Sequence, residues 1–260
     1  MLHITPLITA YLILLAALLG LVMGSFLTCL AMRSVSGASV LRGRSHCDSC
    51  GHVLGVPDLV PVFSWLFSRG RCRYCGVKLP AKYPALELLC GVIYVSLLLR
   101  FDVTWDLALY AALMTLLFPA SLVDLDIQEL PDGFLLAAAV AFFPLAWLAG
   151  GLPLIVRGLI GAVALFVPML LIVLLFDKLM GRETMGGGDL KLIAVLGLYF
   201  GWQQGVLLII LACLLGLLMA LLTGSAKART AFPFGPALSA AAWLTALIGS
   251  PVLSWYTSLF

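Results

Sequence analysis

The sequence predicts an all-α polytopic membrane protein of about eight transmembrane helices, with a small zinc-binding cytoplasmic insert between the first two. Three observations carry that expectation. Of 260 residues, 63% are hydrophobic and only 10% are charged, against roughly 25% charged in a soluble domain. The apolar residues fall in runs of the length a bilayer needs, about 20 residues each. The net charge of +3 is small, and the basic residues gather in polar connections. The same composition excludes other classes. No basic stripe with interleaved aromatics marks a nucleic-acid partner, and 7 cysteines in a chain this long are too sparse for a secreted disulfide scaffold.

The first run, Pro6 to Met32, is too long, and too closely followed by a polar segment, for a cleaved signal peptide. Further runs extend from about Pro84 to Leu99, Trp105 to Val123, Gly133 to Ala149 and Leu152 to Phe176. After a glycine triplet come a short run, Leu190 to Phe200, then Gly205 to Thr223 and Phe234 to Trp255. The short run spans only if neighbouring protein covers it; the alternative count takes Leu190 to Thr223 as one broken helix. Basic residues in short loops favour the cytoplasm. With residues 33–82 inside, Arg33, Arg42, Arg44, Arg69, Arg71, Arg73, Lys78 and Lys82 are cytoplasmic. Alternation across eight spans then adds Lys178, Arg182, Lys191, Lys227 and Arg229, and leaves Arg100, Arg157 and both termini outside. Seven spans would put Lys227 and Arg229 on the wrong side.

The chain accordingly divides into a first transmembrane helix at 1–32, a cytoplasmic four-cysteine domain at 33–83 and a membrane domain at 84–260. Residues 33–83 carry Cys47-Asp-Ser-Cys50 and Cys72-Arg-Tyr-Cys75. Two CxxC pairs supply four soft ligands for a tetrahedral zinc ion. Two disulfides are the alternative, which a cytoplasmic location disfavours. So short a module buries little core, and metal would supply much of its stability. Arg71 and Arg73 favour the thiolate form of the second pair. His46 and His52 lie beside the first pair, but four sulfurs already complete the coordination. Cys29, Cys90 and Cys213 lie in apolar runs and read as packing residues.

Acidic residues beside spanning helices are costly and usually functional. Asp124, Asp126, Glu129 and Asp132 crowd one helix end within SLVDLDIQELPDG. On a continuing helix Asp124 and Asp126 point about 200° apart, so they belong to different faces. Pro131 ends the segment and Asp132 suits the cap of the next helix. The second cluster is Gly186, Gly187 and Gly188 followed by Asp189 and Lys191. Three glycines cost backbone entropy; they let an extended chain approach the backbone closely and set Asp189 at a helix start. Read alone, the triplet could equally be a turn with a cap. Read together, Asp124 at the end of the third helix and Asp189 at the start of the sixth make a pair of carboxylates able to share a proton and activate water.

With these residues in view, the chain resembles the bacterial type IV prepilin leader peptidases, intramembrane aspartyl proteases of the GxGD type. The matches run in the family's order: Gly24-Ser25-Phe26-Leu27; the CxxC pairs enclosing Asp58-Leu-Val-Pro61 and Ser64-Trp65-Leu66; Tyr83-Pro-Ala-Leu-Glu87-Leu; Asp124-Leu-Asp126 with Leu130-Pro131-Asp132; Gly186-Gly-Gly-Asp189-Leu-Lys191; and Pro233-Phe-Gly-Pro236. The resemblance implies catalytic roles for Asp124 and Asp189, and supporting ones for Asp126 and Asp132. It implies cleavage of a prepilin or pseudopilin after the glycine that ends a basic leader, at the cytoplasmic face of the bacterial inner membrane, with no catalytic metal. It also implies N-methylation of the new N-terminal residue with S-adenosylmethionine, associated with the cysteine-bearing domain; a peptidase without methylation is the alternative. Thr28, Ser34-Val35 and Asp48 depart from the family pattern and bear on methylation only. Glu87 is either a polar contact in methyl transfer or an anchor for the second helix. Lys191 balances Asp189 or faces the headgroups, and Gly24, Ser25, Pro233 and Pro236 read as packing residues. An ion-coupled permease also uses intramembrane carboxylates and broken helices, but here both acidic clusters lie at one face and no internal repeat is evident. A noncatalytic assembly factor docking through the zinc module would leave the two aspartates unused.

Overall fold

The computed structural model describes residues 6–37, 39, 43–182, 184–223 and 233–259. Arg42, Lys227 and Arg229, on which the charge-derived topology partly rests, lie outside the described residues. The chain is nearly all helical and forms two compact units, Met1–Asp102 and Val103–Phe260. Among the described residues, six helices are long and apolar enough to cross a membrane. Large apolar side chains such as Leu136, Val140, Trp147, Val163, Leu171 and Leu214 are exposed along them, as expected where the solvent is lipid.

Unit 1 contains α1 (Pro6–Ser36), a 3-10 turn (Val56–Asp58), the short α2 (Phe63–Phe67) and α3 (Lys82–Phe101). Helices α1 and α3 pack through small residues. A Cβ on Gly20 would lie 2.7 Å from Gly91 Cα, and one on Gly24 would lie 2.8 Å from Cys90 Cβ and 2.9 Å from Glu87 Cα. This is the close backbone approach that small-xxx-small spacing permits in lipid. The polar module between them repeats one hairpin. Cys47 N–H donates to the His52 carbonyl and Gly51 N–H to that of Cys47; Cys72 donates to Val77 and Gly76 to Cys72 in the same way. Gly51 and Gly76 take the positive φ (68° and 73°) that closes each turn, and isolated antiparallel bridges join His46 to Val53 and Arg71 to Lys78.

Unit 2 contains α4 (Trp105–Ile127), α5 (Asp132–Met180), α6 (Gly187–Thr223) and α7 (Gly235–Thr257). The 49 residues of α5 would run about 74 Å unbroken, well over twice the ~30 Å hydrocarbon core. The helix breaks at Gly151, where φ 66° and ψ −155° leave the helical region, a conformation only glycine takes easily. It then doubles back: Gly158, seven residues beyond the break, lies against the Phe142 ring nine residues before it. Helix α6 breaks likewise at Gly201 (φ 66°). Gly216 packs on Phe234 and Gly249 lies near Gln204, so α7 returns along the second half of α6. Two broken helices reconcile the eight apolar runs with six continuous ones.

The segment Gly187–Phe200 is short, and protein surrounds it as expected. Leu192, Ile193, Leu196, Tyr199 and Phe200 are all buried, and the Tyr199 hydroxyl donates to the Ala138 carbonyl at 2.8 Å. Glycines 158, 161 and 197 let the backbones approach closely at the crossing with α5; a Cβ on Gly197 would lie 2.7 Å from Ala162 Cα. Replacing Gly197 with Val is therefore expected to destabilise the protein by about 1–3 kcal/mol through overpacking. Gly133→Ala, at a position with nothing within 4 Å, should be neutral. Thermal unfolding of the two variants in detergent compares them.

Candidate active site

Asp124 lies one turn before the end of α4 and is 4% exposed. The helix stops because Gln128 turns left-handed (φ 57°) and donates its N–H to the Asp124 carbonyl. The chain reverses through Pro131, and α5 starts at Asp132. A buried carboxyl needs a partner, and Asp124 has one: the Gly235 N–H donates to its Oδ2 at 2.9 Å. No side chain fits there. A Cβ on Gly235 would lie 2.7 Å from that same oxygen and 3.0 Å from Leu130 Cδ2. Leu130 also fills the space over the glycine triplet, 3.0 Å from where a Gly188 Cβ would stand. One leucine thus packs against both loops that flank Asp124.

Asp189 is the third residue of α6, with its N–H on the Gly186 carbonyl at 3.1 Å. It is half-buried, and the charge of Asp124 acts on its carboxyl. The two acids come from separate helices and meet at one end of unit 2. Asp126 is exposed, on the other face of the helix that buries Asp124. Asp132 is the first residue of α5 rather than its cap, and its Oδ1 pairs with Lys191 Nζ at 2.7 Å. Lys191 therefore binds Asp132, not Asp189, and the exposed pair contributes at most about 1 kcal/mol. Gly186 and Gly187 are exposed. Ahead of them, Asp177 Oδ1 accepts the Thr184 N–H at 2.7 Å and its hydroxyl at 2.6 Å, closing the loop after α5.

In unit 1 the sulfurs of Cys47, Cys50, Cys72 and Cys75 all lie within 4.8 Å of one another. Cys47 and Cys75 are 3.9 Å apart and none of the four is disulfide-bonded. Metal–sulfur bonds of about 2.3 Å set the corners of a tetrahedron about 3.8 Å apart, so the cluster has the size to hold a metal ion. N–H groups of Cys75 and Tyr74 draw the Cys72 thiol down to about 7. Cys75 is pushed up to about 12, the Val77 N–H being outweighed by desolvation and the adjoining thiols.

A cavity of about 670 Å³ opens beside the cluster, lined among others by Thr28, Arg33, Asp58, Trp65, Tyr83 and Glu87, a size typical of small-molecule sites. Asp58 accepts the Gly55 N–H at 3.0 Å and the Tyr74 hydroxyl at 3.1 Å, which raises the Tyr74 pKa, and lies 3.5 Å from Arg73. His52 stacks on Tyr74. Glu87 accepts the Val62 N–H at 2.7 Å. The sequence marked Pro233 and Pro236 as packing residues and left Gly235, Leu130 and Asp177 without a role. Gly235 between a phenylalanine and a proline was the available signal; its amide bond to Asp124 spans 111 residues, a separation no local pattern reports.

Comparison with known proteins matches the family model "Bacterial Peptidase A24 N-terminal domain" to residues 18–101 and "Type IV leader peptidase family" to residues 111–221. Three relatives are each named prepilin leader peptidase/N-methyltransferase. That of Myxococcus xanthus (strain DK1622) is 38% identical over 82% of this chain and 64% of its own length, so the chain spans just under two thirds of that relative. That of Aeromonas hydrophila is 33% identical over 84% and 76%. That of Bacillus subtilis (strain 168) is 31% identical over 92% and 96%. No solved structure matches.

Gly235→Ala is expected to push the Asp124 carboxyl out of place. A displacement of about 1 Å costs on the order of a hundredfold in turnover. Lys191→Ala, which breaks only an exposed ion pair, should cost less than about fivefold. Initial rates of both variants against wild type make the comparison.

Proposed function

The chain belongs to the type IV leader peptidase family, and from that premise we propose that it cuts the leader from prepilins or pseudopilins with Asp124 and Asp189 and then methylates the new N-terminus. The observation that carries the first half is that Leu130 packs against both the Gly235 backbone bonded to Asp124 and Gly188 beside Asp189, which brings carboxyls from separate helices to one loop of three glycines. Together the two carboxyls hold one proton. The ionised carboxyl removes a proton from water, and the resulting hydroxide oxygen bonds to the scissile carbonyl carbon. The protonated carboxyl gives its proton to the carbonyl oxygen. As the tetrahedral intermediate collapses, the C–N bond breaks and the leaving amine takes a proton from the dyad. The Gly235 N–H on Oδ2 fixes the Asp124 carboxyl, leaving Oδ1 for the chemistry. Gly186, Gly187 and Gly188 have no side chains to keep an extended substrate from the backbone, and Lys191, Asp126 and Asp132 support the loops around it. The substrate is an apolar helix with a basic leader, unwound where it is cut.

Methyl transfer belongs to unit 1. The four cysteines hold zinc as a structural ion, which suits their number and spacing, and the proteolytic step needs no metal. The cavity beside them binds S-adenosylmethionine. Aromatic residues (Trp65, Tyr74, Tyr83) and the Asp58 carboxylate around it suit a sulfonium cation. Bound there, that group would supply an electrophilic methyl to the uncharged terminal amine, its sulfur leaving as a neutral thioether and the amine losing a proton. The basic residues of 33–82 favour the cytoplasmic side of the bacterial inner membrane for this module. By alternation both aspartates face that side, where the leader lies.

Mass spectrometry of a model prepilin incubated with the purified protein, with and without S-adenosylmethionine, tests this reading. Wild type is expected to release the leader and, with the methyl donor, to add one methyl. Asp124→Asn and Asp189→Asn should each lose at least about a thousandfold in cleavage rate while still binding the substrate. Cleavage by both at the wild-type rate would sink the dyad; ion-dependent transport lost in both would favour a permease. Elemental analysis supplies a second check. One zinc per chain is expected, lost together with methyl transfer in Cys72→Ser and retained in Asp124→Asn.

A further inference from the structure

Val62 stands at φ 62°, ψ −51°, and Phe63 donates its N–H across it to the Pro61 carbonyl at 2.6 Å. This is a γ-turn of the strained hand, a conformation that a β-branched residue keeps only where its surroundings hold it. The Val62 carbonyl enters α2 by accepting the Leu66 N–H. Its own N–H points out of the turn and donates to Glu87 Oε2 at 2.7 Å, the length of a charge-assisted bond. Glu87 is itself set in close packing. Its Cα lies where α1 comes so close that a Cβ on Gly24 would be 2.9 Å away. On the other side of the turn, α2 is tied down through Trp65, whose indole N–H donates to the Leu79 carbonyl and whose ring covers Gly70. The turn therefore hangs between α3 and the second cysteine hairpin. Leu59, Ser64 and Trp65, on either side of it, line the 670 Å³ cavity, as Glu87 does.

We propose that Glu87 is a positioning residue for methyl transfer: by holding the strained turn at Val62 it sets the cavity wall formed by Leu59, Ser64 and Trp65 in the shape that binds the methyl donor. The proposal rests on the reading of unit 1 as the methyltransferase site. Strain at Val62 is what makes the role specific. Without an acceptor for its N–H, the turn relaxes to an ordinary φ and carries α2 with it. A glycine at 62 takes the same φ without strain and needs no such restraint.

The test uses the full chain in detergent, a model prepilin and varied S-adenosylmethionine, with cleavage and methylation read in the same mass spectrum. Cleavage by each variant shows that it has folded. Glu87→Ala is expected to lose about tenfold or more in methyl transfer, chiefly as a raised KM for S-adenosylmethionine. Glu87→Gln keeps an acceptor oxygen and most of the activity. Val62→Gly combined with Glu87→Ala restores methyl transfer to within a few-fold of wild type. If Glu87→Gln is as impaired as Glu87→Ala and Val62→Gly rescues neither, Glu87 touches the reacting groups and the positioning role is wrong. Full methyl transfer by Glu87→Ala overturns it as well. If Glu87→Ala cuts nothing, the Glu87→Gln and Val62→Gly variants decide by the same criteria. Cleavage with no methylation by wild type overturns the methyltransferase reading, and this proposal with it.

Discussion

A carboxyl group as buried as that of Asp124 must find hydrogen bonds in the protein, and it finds one in the backbone of Gly235. Much of unit 2 follows from that single contact. It requires the start of α7 to reach the end of α4, and a glycine at the junction, because any Cβ there would overlap the carboxyl oxygen. Leu130 then packs against both the Gly235 backbone and the glycine triplet, which sets the start of α6 beside Asp124. The acids are held in register by close backbone packing in which side chains have been deleted. The exposed Lys191–Asp132 pair adds little to that.

The two breaks in α5 and α6 serve the same geometry. In lipid a helix that turns must satisfy its freed backbone groups within the protein. Gly151 and Gly201 turn with positive φ, and near the second the Arg157 guanidinium donates to the Phe200 carbonyl at 3.3 Å. Each break returns its helix to the end where Asp124 lies. Unit 1 solves a different problem. Its polar module has little apolar surface to bury, so it depends on four clustered sulfurs, on paired hairpins closed by Gly51 and Gly76, and on a strained turn anchored to a carboxylate on α3.

The class of protein, its apolar runs and its candidate chemical residues follow from local properties of the chain. Composition alone excludes a soluble fold, because 10% charge cannot cover a water-facing surface. The CxxC spacing marks a four-sulfur cluster because a tetrahedral ion needs four soft donors. The glycine triplet stands out because glycine is costly without a reason. Even the covered short segment at Leu190 to Phe200 was legible, since eleven residues do not reach across a bilayer. What the linear order could not supply was partnership. Lys191 is two residues from Asp189 yet binds Asp132, and Asp132 opens its helix instead of capping it. Glu87 left two roles open, and its bond to Val62, 25 residues away, is one that no local pattern reports. Leu130 and Gly235 act only through contacts with residues far away in the chain. Hydropathy, spacing and motif are one-dimensional and were determined by the sequence itself. Which buried donor meets which buried acceptor was decided by the tertiary structure alone, because burial makes an unpaired polar group costly and only the folded chain brings its partner near.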